Sequence, residues 1–136
     1  MKKLVKDAGC ETGFHIVSRA THTDEIWSGQ GSPIYPPAQA QMNKKGIPFD
    51  SEKRATLLHK SDYTKYDLFI GMDKENMRSM QRILGFDRDG KIHNLLDYTE
   101  RGGSVSDPWY TRNFDRAYDD IYEGCTALFN SLNNLD

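Results

Sequence analysis

The sequence predicts an α/β fold with a parallel β-sheet, built as one domain over residues 1–136. The first observation is a short apolar run, Tyr66 to Asp73 (YDLFIGMD), which is typical of a strand buried on both faces. The second is that apolar residues at helical spacing follow this run directly, and that the same strand–helix order recurs along the chain. Alternating strands and helices are typical of parallel sheets.

In the first half of the chain, the pattern predicts a helix, a strand, a loop and a second helix. Four apolar residues share one helical face at the start: Met1, Leu4, Val5 and Ala8. Phe14 to Ser18 (FHIVS) is predicted as a strand. Thr21 to Pro37 is predicted as a long loop because it is interrupted by glycine and proline. Ala38 to Gly46 is predicted as a helix that glycine ends.

In the second half, Asp73 is predicted to cap a helix that ends at Gly85. Lys91 to Leu96 is predicted as the next strand. Thr99 to Asn113, which contains two adjacent glycines and a proline, is predicted as a second long loop. Phe114 to Leu132 repeats apolar residues at the spacing of one long amphipathic helix. Long loops in compact α/β domains often carry function.

Composition narrows the class of partner. The chain has 18 basic and 20 acidic residues, which disfavours nucleic acid or an anionic membrane surface as the main partner. No apolar run approaches the roughly 20 residues that span a bilayer. The start, MKKLVKDAG, has no long apolar stretch, so we expect a cytoplasmic protein without a signal peptide. The two cysteines and four histidines lack metal-ligand spacing, and we expect no metal or organic cofactor.

The segment Asp107-Pro108-Trp109-Tyr110 carries the clearest chemistry. Proline disfavours the helical region for the residue before it, so Asp107 is held extended. The two aromatic residues could wall a pocket and desolvate a carboxyl group, which favours the protonated form that a general acid needs. Asp-Pro also starts ordinary turns, and these residues alone leave both interpretations open. Two interpretations of Trp27 are also open: an aromatic residue of a binding loop, or a residue at the edge of the core.

Several segments, in this order, resemble the low-molecular-weight protein tyrosine phosphatase family. They are Ile16 to His22 (IVSRATH), Tyr35 to Ile47, Tyr66 to Met80, Leu95 to Tyr98 (LLDY), Ser106 to Tyr110 (SDPWY) and Phe114 to Cys125. The combination of Met72, Asp73 and Asn76 with a later Asp-Pro-aromatic-Tyr and an F-x-x-x-Y-x-D-I helix is specific. The resemblance spans almost the entire chain.

The resemblance implies a four-stranded parallel sheet with helices on both faces, and hydrolysis of phosphorylated protein side chains through a cysteinyl-phosphate. It implies that Asp107 protonates the leaving group and later activates water. Trp109 and Tyr110 would flank the substrate ring, and Trp27 is the nearest match to another aromatic wall. Two residues match supporting positions of the family: Ser18, beside the phosphate loop, and Asp73, at the head of the next helix.

The sequence departs from the family at its C-x5-R motif, which joins the first strand to the first helix. That motif supplies the nucleophilic thiolate and holds phosphate with backbone N–H groups and the arginine. Here Ile16 stands six residues after Cys10, and Ser131 stands six after Cys125. The family pattern begins within the first helix, at Met1. We therefore expect a chain that lacks the first, central strand and the phosphate loop, and that has no phosphatase activity alone.

A sheet without its central strand has unpaired edges on the second and third strands, and such edges favour association. We expect the sheet to be completed or rearranged in a homo-oligomer through segment exchange between identical chains. Two origins stay open: an assigned start at an internal methionine of a longer enzyme, or a protein that has lost catalysis.

The function predicted from these residues is that of a low-molecular-weight protein tyrosine phosphatase, a phosphoric monoester hydrolase acting on phosphorylated protein. One alternative is a non-catalytic binding or regulatory module that uses Trp27, Trp109 and Tyr110. Another is a protein-arginine phosphatase, because the residues that best separate the two substrates belong to the phosphate loop. A nucleotide-binding flavodoxin-like domain is disfavoured, since neither G-x-G-x-x-G nor G-x-x-x-x-G-K-[ST] occurs.

Overall fold

The computed structural model of the chain describes residues 1–22, 26–27, 30–31, 33–107 and 111–133. In chain order, the helices and strands are α1 (Lys2–Asp7), β1 (Ile26–Trp27), β2 (Gln30–Gly31), α2 (Pro36–Lys44), β3 (Phe69–Gly71), α3 (Lys74–Leu84), β4 (Ile92–Asn94) and α4 (Phe114–Asn133). Short 3-10 helices cover Glu11–Gly13, Lys60–Thr64 and Leu95–Tyr98. The predicted helices are confirmed, with ends shifted by one or two residues.

The β3–α3–β4 unit joins two parallel strands through a helix. β3 and β4 pair in parallel, with Phe69 opposite Ile92 and Gly71 opposite Asn94. The side chain of Asp73 accepts the N–H of Asn76 at 2.8 Å and so caps α3, as predicted. At the other end of α3, Gly85 has φ +79°, a conformation that glycine adopts without strain. The predicted strand–helix–strand order of this unit is confirmed.

Helices cover both faces of this sheet. On one face, α3 and the Lys60–Thr64 turn enclose a buried cluster: Leu58, Tyr63, Phe69, Met80, Leu84 and Ile92. On the other, α4 and α1 enclose a second cluster: Leu95, Leu96, Val105, Cys125 and Leu128. Phe69 belongs to the first cluster and Ile70 packs against the second, because successive side chains of a strand point to opposite faces. The predicted α/β class is confirmed, with three layers.

The strand predicted at Phe14 to Ser18 is wrong. Residues 14–19 have no regular structure, and sheet pairing begins only at Ala20, which bridges Leu57 in parallel. There the N–H of Ala20 donates to the Thr56 carbonyl at 2.7 Å. A strand needs neighbours for its backbone groups, and no described strand lies beside residues 14–18. Their apolar residues suit a strand, but the pairing that would make one is absent from the described chain.

The loop predicted from Thr21 to Pro37 is more regular than expected. Its β1 and β2 pair antiparallel, with Ile26 opposite Gly31, and α2 begins already at Pro36. A side chain at Gly31 would place its Cβ 1.8 Å from the carbonyl oxygen of Ala55. Glycine therefore allows this backbone to approach its neighbour, which residue spacing could not reveal. In the second predicted loop, residues 99–107 are irregular, as predicted.

Candidate active site

The carboxyl end of β3 brings two segments with acidic residues together at one edge of the sheet. After β3, the carbonyl of Met72 accepts the N–H of Val105 at 2.8 Å. Asp73 is the next residue after Met72, and Asp107 lies two residues after Val105. This one hydrogen bond therefore ties the start of α3 to the loop that carries Asp107. Ligands in parallel sheets bind at such carboxyl edges.

A buried carboxylate in α4 holds the loop immediately before Asp107. Asp120 is 7% exposed, and its Oδ2 accepts the N–H of Ser106 at 2.9 Å. Its Oδ1 accepts Nη2 of Arg101 at 2.6 Å, and Nε of Arg101 donates to Glu123 at 3.0 Å. Hydrogen bonds from Arg101 to Glu123 and Asp120 raise the pKa of the guanidinium. The peptide that precedes Asp107 is therefore anchored to helix α4 through Asp120, and Arg101 binds the other oxygen of the same carboxylate.

Sequence reasoning missed Asp120 as a site-positioning residue. The signal was present, because residue 120 lies three positions after Ala117 and four before Gly124, on the buried side of α4. An acidic residue at a core-facing helix position needs a partner, since burying an unpaired charge is costly. Its partners, Arg101 and Ser106, are 19 and 14 residues away in the sequence, so spacing could not name them.

A buried amide in β4 holds the earlier part of the same loop. Asn94 is 9% exposed, and its Nδ2 donates to the carbonyl of Gly103 at 2.7 Å. Gly103 has φ +90°, so the backbone turns there in a conformation that favours glycine. The loop from Thr99 to Asp107 is thus tied to β4, to the residue after β3 and to α4. Sequence reasoning did not single out Asn94.

Asp107 is exposed and ends the described part of this loop. Its carbonyl accepts the N–H of Thr111 at 3.1 Å and the hydroxyl of Thr111 at 3.2 Å. Arg112 follows with φ +59°, a conformation that costs energy for a residue with a side chain. The predicted aromatic walls Trp109 and Tyr110 lie outside the described residues, with Pro108. Trp27 lies in β1, and its side chain also lies outside the described part of the chain.

The loop after the Ala20 bridge reaches the same edge. Nε2 of His22 lies 3.4 Å from Oε1 of Glu75 in the first turn of α3, and this contact is an ion pair only when the imidazole is protonated. Ser18 is exposed, and its carbonyl accepts Nη1 of Arg19 at 2.8 Å. Arg19 also donates to the hydroxyl of Tyr66 at 3.2 Å. Ser18 lies two residues before Ala20, where the sheet pairing of this segment begins.

Helix α2 is fixed to the start of α4, a few residues after Asp107 in the sequence. Gln41 and Lys44 donate to Oδ1 of Asp115 at 2.9 and 3.1 Å, and these hydrogen bonds, that of Gln41 first, lower the pKa of the carboxyl group. Arg112 donates to the hydroxyl of Tyr35 at 3.2 Å. These polar contacts bring the α2 side of the domain to the segment that follows Asp107.

The two cysteines lie in different surroundings, one after α1 and the other in the core. Cys10 follows α1, and its Sγ donates to the Ala8 carbonyl at 3.6 Å. Cys125 lies in the buried face of α4, packed with Leu95 and Leu96. In the described ranges, no group of three or more His, Cys, Asp or Glu side chains is arranged to hold a metal ion. No described helix has the length and apolar character needed to cross a membrane.

The comparison with protein families decides the identity of this fold. The model of the family "Low molecular weight phosphotyrosine protein phosphatase" matches residues 1–135. The chain belongs to this family. The predicted resemblance is therefore confirmed over almost all of the sequence.

Relatives and solved structures agree with this membership. The chain is 35% identical over 104 residues to the low molecular weight protein-tyrosine-phosphatase YfkJ of Bacillus subtilis, an alignment that covers 75% of this chain and 66% of that protein. It is 29% identical over 133 residues to PtpA of Staphylococcus aureus, which covers 97% of this chain and 80% of the relative. The crystal structure of YfkJ superposes with a TM-score of 0.87 at 30% identity, covering 98% of this chain and 82% of YfkJ.

More distant structures share the fold of this low-molecular-weight phosphatase chain. A protein tyrosine phosphatase from Entamoeba histolytica superposes with a TM-score of 0.85 at 20% identity, covering 99% of this chain and 84% of that one. The three-layer architecture is therefore retained where most side chains differ. At this identity the likeness concerns the backbone alone.

Proposed function

We propose that this chain provides the general acid of a phosphotyrosine hydrolase site and that its 136 residues do not hydrolyse phosphate esters alone. The single observation that carries the first part is the Met72–Val105 hydrogen bond, because it brings the Asp107 loop to the carboxyl edge of the sheet. In the proposed role, Asp107 donates a proton to the leaving phenolate and then takes a proton from water. Family membership supports this role for the aspartate of the Asp-Pro segment.

A general acid must be held in a fixed position, and the loop that carries Asp107 has the contacts to do this. A proton donor contributes only when it is held within hydrogen-bond reach of the leaving oxygen. Asn94, Met72 and Asp120 bind three successive parts of the loop, at Gly103, Val105 and Ser106. Asp107 follows directly after the last of these anchors. We propose that this support keeps its side chain at a constant position relative to the sheet edge.

The proposed substrate is a phosphotyrosine side chain of a protein. Relatives at 29–35% identity are named protein-tyrosine-phosphatases, and this favours phosphotyrosine over phosphoarginine. We propose that Trp109 and Tyr110 flank the phenyl ring and that Trp27 forms a further wall. Ser18 and Asp73 are proposed as supports of the phosphate-binding segment.

The proposed lack of activity follows from the thiol chemistry. The family reaction needs a thiolate inside a phosphate-binding loop, with an arginine six residues after the cysteine. Neither Cys10 nor Cys125 has that arginine. Cys125 is 7% exposed in the hydrophobic core, where a thiol has no access to substrate. Cys10 follows α1, and its Sγ donates to the carbonyl of Ala8.

A complementation experiment tests the roles of the general acid and of the nucleophile separately. The purified chain is assayed with para-nitrophenyl phosphate, alone and with a synthetic peptide that carries an apolar strand followed by a C-x5-R-S-P segment. We expect no turnover by the chain alone, and turnover with the peptide but not with its Cys-to-Ser version. Asp107→Asn is then expected to lower the rate by about 10²–10⁴-fold.

The matched control is Asp119→Asn, since Asp119 is an exposed acid in α4. We expect this variant to keep the full rate. Turnover by the chain without peptide, abolished by alkylation of its thiols, would show that the proposed inactivity is wrong. If Asp107→Asn and Asp119→Asn gave equal rates when mixed with the peptide, Asp107 would not be the general acid.

We further propose that identical chains associate through the edge of β3. Phe69 donates to the Lys91 carbonyl on the β4 side, so the N–H and C=O of Ile70 point to the opposite edge. In the described chain, no strand pairs with β3 at that edge, and such an edge favours association. Light scattering should give a mass above that of one chain, and a stable monomer at about 100 μM would contradict this.

A cytoplasmic location is also proposed, consistent with two free thiols.

A further inference from the structure

One large apolar side chain stands almost wholly in solvent at the far end of α3. Phe86 is 86% exposed, whereas the neighbouring Leu84 is 3% exposed. Phe86 follows Gly85, which ends the helix, so it lies at the opposite end of α3 from Asp73. For 11 helical residues this separation is about 16 Å along the axis. The exposed ring is therefore remote from the candidate active site.

The turn that presents Phe86 is rigid. The carboxylate of Asp87 accepts the hydroxyl of Tyr63 at 2.6 Å and the N–H groups of Lys91 and Ile92 at 2.8 and 3.1 Å. The hydroxyl of Tyr63 in turn accepts the N–H of Asp89 at 2.9 Å. Tyr63 is itself buried in the core. Phe86 is therefore held outward by a fixed backbone, and a preorganised aromatic loses little entropy on binding.

A cavity adjoins this ring. It has a volume of about 370 Å³ and is lined by Lys60, Tyr63, Thr64, Leu84, Phe86 and Arg88. Two of the lining side chains, Tyr63 and Leu84, are buried core residues, and they form an apolar floor. Lys60 and Arg88 are exposed. The site therefore combines an apolar floor with positively charged walls, next to an aromatic ring in solvent.

The positive charge continues along the exposed face of α3. Lys74, Arg78 and Arg82 recur every four residues, so they lie on one face of the helix, and all three are exposed. Within the part of the chain that the structure describes, none of these three, nor Lys60 or Arg88, forms a salt bridge with an acidic side chain. The whole chain has a net charge of −2, so this basic face contrasts with its average.

We propose that Phe86, its cavity and the basic face of α3 form a docking surface for an acidic protein segment that carries one apolar side chain. The apolar side chain enters the cavity against Phe86 and Leu84. Carboxylates of the same segment lie beside Arg88 and Lys60, and further ones follow the basic residues along α3. Burial of an aromatic anchor inside a rim of charges is the usual arrangement of strong interface residues.

Charge favours this occupant over a second copy of the chain. A symmetric contact through this surface would bring the basic patch of one copy, which includes Lys60 and Arg88, against the same patch of the other. Like charges facing each other across an interface are unfavourable. An acidic segment instead neutralises the unpaired cations. The surface is therefore distinct from the association proposed for the edge of β3.

Selection from a peptide library tests both parts of the proposal. Random peptides of twelve residues are displayed on phage and panned on the purified 136-residue chain, and enriched peptides are synthesised with a fluorescent label. We expect enriched sequences to contain an apolar residue flanked by at least two Asp or Glu. Affinity should fall about tenfold or more for Phe86→Ser and for Arg88→Glu. It should also fall as salt is raised.

Matched variants on the other face of the sheet control for general effects. Tyr122, 51% exposed on α4, supplies Tyr122→Ser, and the exposed Arg116 supplies Arg116→Glu. We expect both to bind the peptide as the unchanged chain does. Amide shifts on peptide binding should concentrate at residues 60–64 and 84–88. Circular dichroism melts show that each variant remains folded.

Three results would overturn the proposal. One is the absence of any enriched acidic sequence, and another is equal loss of affinity in the Phe86→Ser and Tyr122→Ser variants. The third is a mass measurement in which Phe86→Ser or Arg88→Glu alone converts an oligomer to a monomer, since the occupant would then be a second copy. The readout is binding, so its failure is separate from failure of the proposed acid role of Asp107.

Discussion

Substitution of Asp120 tests how the loop that carries Asp107 is held. In Asp120→Ala, the N–H of Ser106 loses its acceptor at 2.9 Å, and Arg101 loses one of its two carboxylate partners. An unmade hydrogen bond of a partly buried group costs about 1–3 kcal/mol. The side chain of Arg101 is 45% exposed, so solvent screens the ion pair and its loss adds little to this cost. The lost hydrogen bond therefore predicts a loss of about 1–3 kcal/mol in the free energy of unfolding.

Urea unfolding followed by circular dichroism measures this loss. We expect a lower midpoint with an unchanged slope, and a melting temperature about 4–12 °C lower, given about 4 °C per kcal/mol for a domain of this size. Hydrogen exchange adds a local readout. The Ser106 amide should exchange faster in Asp120→Ala, whereas amides of the β3–β4 pair should change only with global stability.

Asp119, the residue before Asp120, provides the control. Asp119→Ala changes an exposed side chain on the same helix, so its effect should lie within about 0.5 kcal/mol. Asp120→Asn keeps one oxygen acceptor and should fall between the two alanine variants. If Asp120→Ala were as stable as Asp119→Ala, with unchanged exchange at Ser106, the loop would not depend on this carboxylate. The support argued for Asp107 would then be wrong.

Two further predictions concern the ends of α3. Asp73→Ala removes the acceptor of the Asn76 N–H and should cost about 0.5–2 kcal/mol in urea unfolding, whereas Glu75→Ala, in the same turn, should cost less. At the other end, hydrogen bonds from Tyr63 and from backbone N–H groups lower the pKa of Asp87 below its usual value of 3.8. The folded pKa is thus the lower one, so this stabilisation is present above about pH 4 and is lost as pH falls through the folded pKa. Asp87→Asn should flatten the fall in unfolding free energy below pH 4, and an unchanged acid limb would contradict the assignment.

Helices and their ends were predictable because their determinants are local. In α3, the capping side chain and the amide that it binds are three residues apart, at Asp73 and Asn76. Apolar spacing identified the buried face of α4, which includes Ala117, Cys125 and Leu128. Such contacts lie within one or two helical turns, so residue order alone specifies them.

Strand pairing was less predictable because it joins distant segments. Phe14 to Ser18 has a suitable composition but forms no strand in the described chain, whereas Ala20 pairs with Leu57, 37 residues later. The close approach of Gly31 to Ala55 is likewise invisible in either segment alone. The propensity of a strand reflects its packing against neighbours rather than an intrinsic backbone preference.

The chemistry of Asp107 could be proposed from order along the chain, since Asp-Pro followed by two aromatic residues is a local pattern. Residue order also showed that neither Cys10 nor Cys125 has the arginine that the family reaction needs. The support of the acid depended on folding: Asp120 reaches Ser106 only when α4 packs on the Thr99–Asp107 loop, and Val105 reaches Met72 across 33 residues. Chemical identity belongs to single residues, whereas hydrogen bonds between distant segments exist only after the chain has brought those segments together.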